Sequence, residues 1–362
     1  MNAPKLRFKE FKDELSNHKF KDICTFFSGG TPTSSNKEYY NGDIPFIRSG
    51  EIYSDNTELF INQDAINNSS AKVVNNGDLL LALYGATSGN VAISKIDGAI
   101  NQAILCINPQ YGYSKVYIKY LLENKKETIL KTFLQGGQGN LSAEIIKSLN
   151  YSFPQIEEQE KIGDFLSLLD KKIELQTKKI EDLKLFKLCI NNILFNGNKT
   201  IKLKDICECK SSTISLSDIE YDNGIYPIYG ANGEIKKINS YQNDKDYLAI
   251  IKDGAGVGKT IICNKKSSII ATLSALIPNG IPVYYFNELI NKIDFSKYIV
   301  GSGIPHIYFK DYSNEKLYLH EEKKRVLINN LFKRIIIKIE LEENKLHLLE
   351  TVKKGLMQNM FV

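Results

Sequence analysis

Residues 156–196 read IEEQEKIGDFLSLLDKKIELQTKKIEDLKLFKLCINNILFN, and residues 320–362 read HEEKKRVLINNLFKRIIIKIELEENKLHLLETVKKGLMQNMFV. In the first stretch Ile162, Leu166, Leu169, Ile173, Gln176, Ile180, Leu183, Lys187, Ile190 and Leu194 take alternating a and d positions of a heptad. In the second, Ile328, Phe332, Ile335, Ile339, Glu342, Leu346, Leu349, Lys353, Leu356 and Met360 do the same. Eight of the ten positions are apolar in each stretch, which is the pattern of a coiled-coil seam. Two amphipathic helices lying on separate domains would be the alternative. A 3.5-residue period held over so long a run needs a partner of equal length, about 58 Å at about 1.5 Å per residue, and each stretch has the other. The polar interruptions coincide, Gln176 with Glu342 and Lys187 with Lys353, so both pairs are expected to meet and fix the register.

Outward from the helices the chain repeats itself. Lys21-Asp22-Ile23-Cys24 returns as Lys204-Asp205-Ile206-Cys207, and Tyr84-Gly85-Ala86-Thr87-Ser88-Gly89-Asn90-Val91 as Asp253-Gly254-Ala255-Gly256-Val257-Gly258-Lys259-Thr260. Asn41-Gly42-Asp43-Ile44-Pro45 has a looser echo in Asn223-Gly224-Ile225-Tyr226-Pro227, and Glu157-Glu158-Gln159-Glu160-Lys161 in Glu321-Glu322-Lys323-Lys324-Arg325. The order is the same in both copies, and a repeat of this kind decides the architecture. Each copy begins with short β-type runs, such as Asp78-Leu79-Leu80-Leu81-Ala82-Leu83 and Tyr247-Leu248-Ala249-Ile250-Ile251, punctuated by Gly, Asn and Pro. Each then passes into a long helix. Pro154 and the acidic Glu157-Glu158 mark the first helix start, where negative charge favours the helix dipole. The expected fold is α+β: two β-rich globules, at 1–155 and 197–319, separated by two long antiparallel coiled-coil helices, at 156–196 and 320–362, with an internal pseudo-two-fold repeat.

Composition is that of an ordinary globular chain, 43% hydrophobic and 25% charged over 362 residues. No run of about 18 apolar residues is present, which argues against a membrane span. The charged amino terminus has no apolar signal core behind it, which argues against secretion. None of the six cysteines forms a C-x-x-C pair and the four histidines are scattered, which argues against a zinc site or a disulfide framework and fits a reducing cytoplasm. The net charge of +5 is too small and too evenly spread to identify a nucleic-acid binder by itself.

At this point the sequence resembles a known family, the specificity subunits of type I restriction–modification systems. The globule–helix–globule–helix order carries the resemblance. So do Pro4-Lys5-Leu6-Arg7-Phe8, Ile44-Pro45-Phe46-Ile47-Arg48, Pro154-Gln155-Ile156-Glu157-Glu158-Gln159, Gly301-Ser302-Gly303-Ile304-Pro305-His306-Ile307 and the closing Leu356-Met357-Gln358-Asn359-Met360-Phe361. The second helix entry, Leu319-His320-Glu321-Glu322-Lys323, departs from the pattern in lacking the proline and the glutamine, and the second globule is shorter. The resemblance implies two target-recognition domains, each reading half of a bipartite duplex DNA target, with the helices setting the spacing. It implies a chain without catalysis of its own. Two methyltransferase subunits would bring S-adenosylmethionine, and nuclease/translocase subunits would bring ATP and Mg²⁺ chemistry.

Gly254-Ala255-Gly256-Val257-Gly258-Lys259-Thr260 looks like a phosphate-binding loop, but Asp253 stands where that motif needs glycine, and the first copy lacks the Lys-Thr ending. Asn108-Pro109-Gln110-Tyr111 is similar to an adenine-holding motif of amino-methyltransferases but lacks its second proline, and a turn after a strand explains it. No carboxylate cluster suited to a Mg²⁺ nuclease stands out. A coiled-coil scaffold that binds only protein is the remaining alternative. The candidate DNA-binding residues are Arg48, Ser49, Tyr84, Thr87, Ser88, Asn90, Asn101 and Gln102 in the first copy. In the second they are Lys236, Lys237, Lys252, Lys259, Thr260, Lys265 and Lys266. Arg, Asn and Gln suit base edges, and lysines suit phosphates.

Overall fold

The computed structural model describes residues 4–134, 140–219 and 223–362; the first three residues of the charged amino terminus lie outside it. The chain divides into two compact units, Met1–Leu175 with Leu346–Val362, and Gln176–Lys345. Each holds one β-rich globule and a stretch of both long helices.

In the first globule an antiparallel sheet runs in the order Cys24–Ser28, Ile104–Pro109, Leu79–Ala82, Val91–Ile93. The second globule repeats that order with Cys207–Ser211, Leu273–Pro278, Tyr247–Ile251 and Thr260–Cys263. The continuous apolar runs that open each copy are central strands covered on both faces. Leu79, Leu81 and Leu83 enter one core with the helix Lys115–Leu134, while Leu80 and Ala82 enter another. Leu248 and Ile250 likewise part from Tyr247, Ala249 and Ile251. Alternate side chains of a strand point to opposite faces, so each run serves two cores.

A second sheet follows the same rule. Its order in the first globule is Phe60–Ile61, Ile44–Ile47, Gly98–Ile100, Lys72–Val74, with the middle pair parallel. In the second globule it is Gly233–Ile238, Tyr226–Gly230, Ser268–Ile269, again with a parallel pair. Among the described residues the second copy has no counterpart of Lys72–Val74, and there lies part of its missing length. A short antiparallel pair closes each globule, Ser16–Lys19 with Asn150–Phe153 and Ile201–Lys202 with Lys316–Leu317.

The long helices span Ile156–Leu194 and Glu322–Met360, 39 residues each. All the heptad positions are buried or half-buried. In the first unit Leu166 shares a core with Met357 and Met360; in the second, Leu183 and Ile190 share one with Ile328 and Phe332. Early residues of one helix thus meet late residues of the other, which is antiparallel pairing.

One polar pair is as expected. Gln176 Nε2 donates to Glu342 Oε2 at 2.7 Å and to the Glu342 carbonyl at 3.0 Å. This bond, with Lys179 and Lys338 alongside, holds the Glu342 carboxyl well below the usual carboxylate range. The other expected pair does not form. An antiparallel seam that sets Gln176 against Glu342 carries Lys187 and Lys353 away from that pair in opposite directions, so the two lysines never face each other, and each bonds instead to a carboxylate on its globule's own helix. Lys187 Nζ reaches Glu288 at 2.6 Å; Lys353 Nζ reaches Glu123 at 2.9 Å and Asp170 at 2.7 Å.

Candidate nucleic-acid interface

The two glycine-rich stretches are the same structural part. Each joins the antiparallel strands that follow one another at the edge of the main sheet, Leu79–Ala82 with Val91–Ile93 and Tyr247–Ile251 with Thr260–Cys263. Gly85 and Gly89 have φ of 74° and 78°, and Gly254, Gly256 and Gly258 have 91°, 96° and 88°. A side chain is strained in this left-handed region, so the hairpin ends need glycine. A phosphate-binding loop would lead into a helix whose free amides face the anion. Here the loop leads into a strand, and the amides of Gly254, Val257, Gly258 and Lys259 donate to Pro305, Gly254, Ile251 and Gly256 carbonyls.

Three of the candidate groups in the first copy come together. Arg48-Ser49 and Asn101-Gln102 follow neighbouring parallel strands, joined by the Asn101 amide donating to Ile47 at 3.3 Å. The Leu83 amide donates to Ala103 at 2.8 Å, which brings the loop carrying Tyr84, Thr87, Ser88 and Asn90 to the same rim. The second copy repeats this framework. The Ile270 amide donates to Tyr229 at 3.1 Å, and the Lys252 amide to Thr272 at 3.0 Å. Its rim therefore carries Lys252, Lys259 and Thr260.

The side chains on the rims differ in availability. Tyr84, Gln102 and Lys259 are exposed. Gln102 Oε1 accepts from the Thr31 hydroxyl at 2.5 Å. The half-buried Thr87 hydroxyl lies 3.4 Å from the Tyr84 carbonyl. Ser88 is buried and its hydroxyl donates to the Leu83 carbonyl at 2.9 Å. Asn90 Oδ1 accepts from Lys126, and Asn101 Oδ1 from the Ala103 amide at 3.2 Å. Arg48 is held by two carboxylates, Glu51 at 2.9 Å and Glu58 at 2.5 Å, which raise its pKa. Burial pushes the Glu51 carboxyl up, but Arg48 and the Glu58 and Arg48 amides outweigh it and hold it at about 2.

The remaining lysines lie elsewhere. Lys265 and Lys266 occupy the turn at the opposite end of the hairpin, where the Lys265 amide donates to Asp246 at 2.8 Å. Lys266 adopts φ 58° there. Lys236 and Lys237 sit on the outer strand Gly233–Ile238, with Lys236 Nζ donating to the Ile219 carbonyl at 3.0 Å. Asn108-Pro109 closes a strand paired with Thr25 and Cys24, and Tyr111 stands exposed on the turn beyond it.

Sequence reasoning missed one rim element. The Gly301–Ile307 stretch packs directly on the second hairpin loop. His306 bridges both Asp253 and Val300, the Gly254 amide donates to Pro305 at 2.8 Å, and the Ile307 amide to Lys252 at 3.0 Å. Ile304 (68% exposed) and Tyr308 (50%) project from it. In the first copy the Leu141 amide makes the matching bond to Leu83 at 3.0 Å. A second glycine-biased run at the same place in both copies, Gly136, Gly137 and Gly139 against Gly301 and Gly303, was the available signal. Residues 135–139 lie outside the described structure.

Among the described residues no group of three or more His, Cys, Asp or Glu is placed to hold a metal ion, and no helix is long and apolar enough to cross a membrane.

These features define a class: a duplicated two-sheet globule with a loop-built rim, each copy tied to a shared pair of long helices. The sequence model of the type I restriction modification DNA specificity domain matches residues 12–185 and 196–351, and the chain belongs to that family. A relative from Methanocaldococcus jannaschii, the type I restriction enzyme MjaIX specificity subunit, is 33% identical over 173 residues, 46% of this chain and 40% of that one. The putative MjaX specificity subunit of the same organism is 26% identical over 192 residues, 52% of this chain and 43% of that one. The chain thus spans about two fifths of the length of these curated relatives. Among solved structures, the type I restriction-modification system S subunit from M. genitalium superposes with a TM-score of 0.73 over 100% of this chain and 99% of that one. At 17% identity that likeness is one of fold.

Proposed function

We propose that the chain is the DNA-specificity subunit of a type I restriction–modification complex, acting in the cytoplasm. Each globule reads one half of a two-part duplex target through its rim. The observation that carries this reading is the rim itself, built by the same backbone bonds in both copies but bearing different side chains: Tyr84 and Gln102 against Lys252 and Lys259. A shared frame with unlike side chains is what two half-sites of different sequence require. Ser88, turned inward, supports the loop rather than contacting DNA. Arg48 reaches a guanine only by exchanging a carboxylate partner. Ile304 suits contact with a thymine methyl.

Methylation and ATP-dependent cleavage belong to partner subunits, which bring S-adenosylmethionine, ATP and Mg²⁺. Two methyltransferase subunits bind one chain, since a repeated surface takes equal partners. Apolar side chains that the long helices leave in water favour a protein partner there: Leu168, Leu188 and Ile193 on the first, Leu327, Leu341 and Leu348 on the second. The test is selection of bound duplexes from a random pool by the chain with its methyltransferase subunits. Two short motifs at fixed separation are expected. A single contiguous motif, or no enrichment, would overturn the reading.

A further inference from the structure

In the second unit, a buried polar relay joins the first long helix to the hairpin loop. Lys187 Nζ contacts Glu288 Oε1 at 2.6 Å, and Asn191 Nδ2 donates to Glu288 Oε2 at 3.1 Å and to the Glu288 carbonyl at 2.9 Å. Asn287 Nδ2 donates to Glu288 Oε1 at 2.8 Å, and Asn287 Oδ1 accepts from the Thr260 hydroxyl at 2.8 Å. Thr260 is the first residue after the glycine-rich loop. Glu288 is 1% exposed and Asn287 6%.

The first unit has the same wiring with different atoms. Lys353 Nζ contacts Glu123 and Asp170, and Lys119 Nζ contacts both carboxylates at 3.1 and 3.0 Å. Tyr120 donates to Asp170 at 2.6 Å. One turn further along the helix Lys115–Leu134, Lys126 Nζ donates to Asn90 Oδ1 at 2.5 Å. Asn90 directly precedes the returning strand, one place before the position that Thr260 holds in the second copy. Here the helical turn between Glu123 and Lys126 replaces the Asn287 link. Each network lines a cavity, of about 600 Å³ in the first unit and about 380 Å³ in the second.

A buried ion pair is a weak source of stability, because apolar residues of similar volume commonly serve as well or better. This chain nonetheless has one in the second unit and a half-buried one in the first, where the Glu123 and Asp170 side chains are each 36% exposed, and each uses a lysine that interrupts the apolar seam. What an ion pair supplies and an apolar contact lacks is a fixed geometry. We propose that Glu288 and Glu123 are positioning residues: each sets its globule's glycine-rich loop in one orientation relative to the long helices, through Lys187 and Lys353 respectively. The proposal rests on the DNA-reading function and adds that each half of the target depends on its own relay.

The experiment uses the full chain with Glu288→Gln or Glu123→Gln, which keep the shape and remove the charge. Hydrogen exchange of the chain alone is expected to rise roughly 5–30-fold at residues 252–260 in the first variant and at 84–91 in the second. Methylation mapping of the complex is expected to show one half of the motif relaxed by Glu288→Gln and the other half by Glu123→Gln. Asn287→Ala breaks the relay at its loop end without touching the seam and should reproduce the Glu288→Gln pattern if that variant folds poorly. Exchange that rises evenly along the chain, or methylation that falls at every site with both half-motifs intact, would overturn the proposal and leave a stabilising role only. A wild-type complex that methylates no two-part motif would refute the function instead, while the exchange pattern would still decide the wiring.

Discussion

Removing the Arg7 side chain should unfasten the start of the first long helix. Arg7 Nε and Nη2 donate to Glu158 Oε1 and Oε2 at 2.7 and 2.6 Å, a two-pronged bond to a carboxylate 2% exposed in the first turn of that helix. Removing one partner of a buried pair costs about 3–5 kcal/mol, because the remaining charge is left without compensation. Arg7 is itself 18% exposed, so water can reach part of the site, and about 3 kcal/mol is expected for Arg7→Ala. At about 2–4 °C per kcal/mol for a domain of this size, that lowers Tm by about 6–12 °C. Replacing both partners, Arg7→Leu with Glu158→Leu, removes the stranded charge and should cost about 1 kcal/mol or less. The assay is thermal and urea unfolding of the two single variants and the double variant at neutral pH. A double variant as unstable as the sum of the singles, or an Arg7→Ala cost below about 0.5 kcal/mol, would refute the reasoning.

Acid should loosen the Arg48 loop. The Glu51 carboxyl is held at about 2 in the folded chain, against an ordinary 4.5. Its contribution is therefore complete above the ordinary value and is lost as pH falls through the folded one, between about 4.5 and 2. Hydrogen exchange at residues 48–58 should rise across that window in wild type, and Glu51→Gln should flatten the profile. Thiol labelling should be selective. Burial pushes Cys24, Cys106, Cys207 and Cys263 up to about 12, while Cys189 is exposed, so iodoacetamide at pH 7.5 should modify Cys189 first by mass spectrometry. Lys259→Ala should reduce the salt slope of DNA binding by about one if the lysine contacts phosphate, and leave nucleotide affinity unaltered. ATP binding that vanished with this substitution would restore the nucleotide-site reading.

The heptads were legible because a 3.5-residue period leaves little freedom once the seam is buried, and every a and d position from Ile162 to Met360 is covered. The antiparallel sense and the Gln176–Glu342 contact came with it. Lys187 and Lys353 were misplaced because the repeat shows which residues are equivalent and not which ones touch. Their partners Glu123 and Glu288 lie far along the chain, in helices whose sequence gives no sign of the contact. The loops were legible as hairpins through their glycines. The rim was legible only in part: Arg48-Ser49 and Asn101-Gln102 meet because a parallel pair aligns Ile47 with Ile100. Lys265 and Lys266, chosen for charge alone, fall at the far end of the hairpin. The family-like segments Pro4–Phe8, 154–159 and 356–361 proved to be one structural corner. There Arg7 bonds Glu158, the Leu6 amide donates to Asn359 at 2.9 Å, and Phe361 packs on Tyr117. The second helix entry has no such proline or glutamine, and His320 there bonds Tyr285 at 2.9 Å instead.

The central claim is that two rims on this one chain read two halves of one DNA target. Genome-wide methylation mapping of cells holding the methyltransferase partner, with and without this chain, tests it most directly. The account predicts a two-part motif with a non-specific spacer that is methylated only when the chain is present. Replacing residues 197–319 with the matching globule of a relative should change one half of the motif and keep the other. Methylation that persists without the chain, or a globule exchange that changes both halves together, would contradict it.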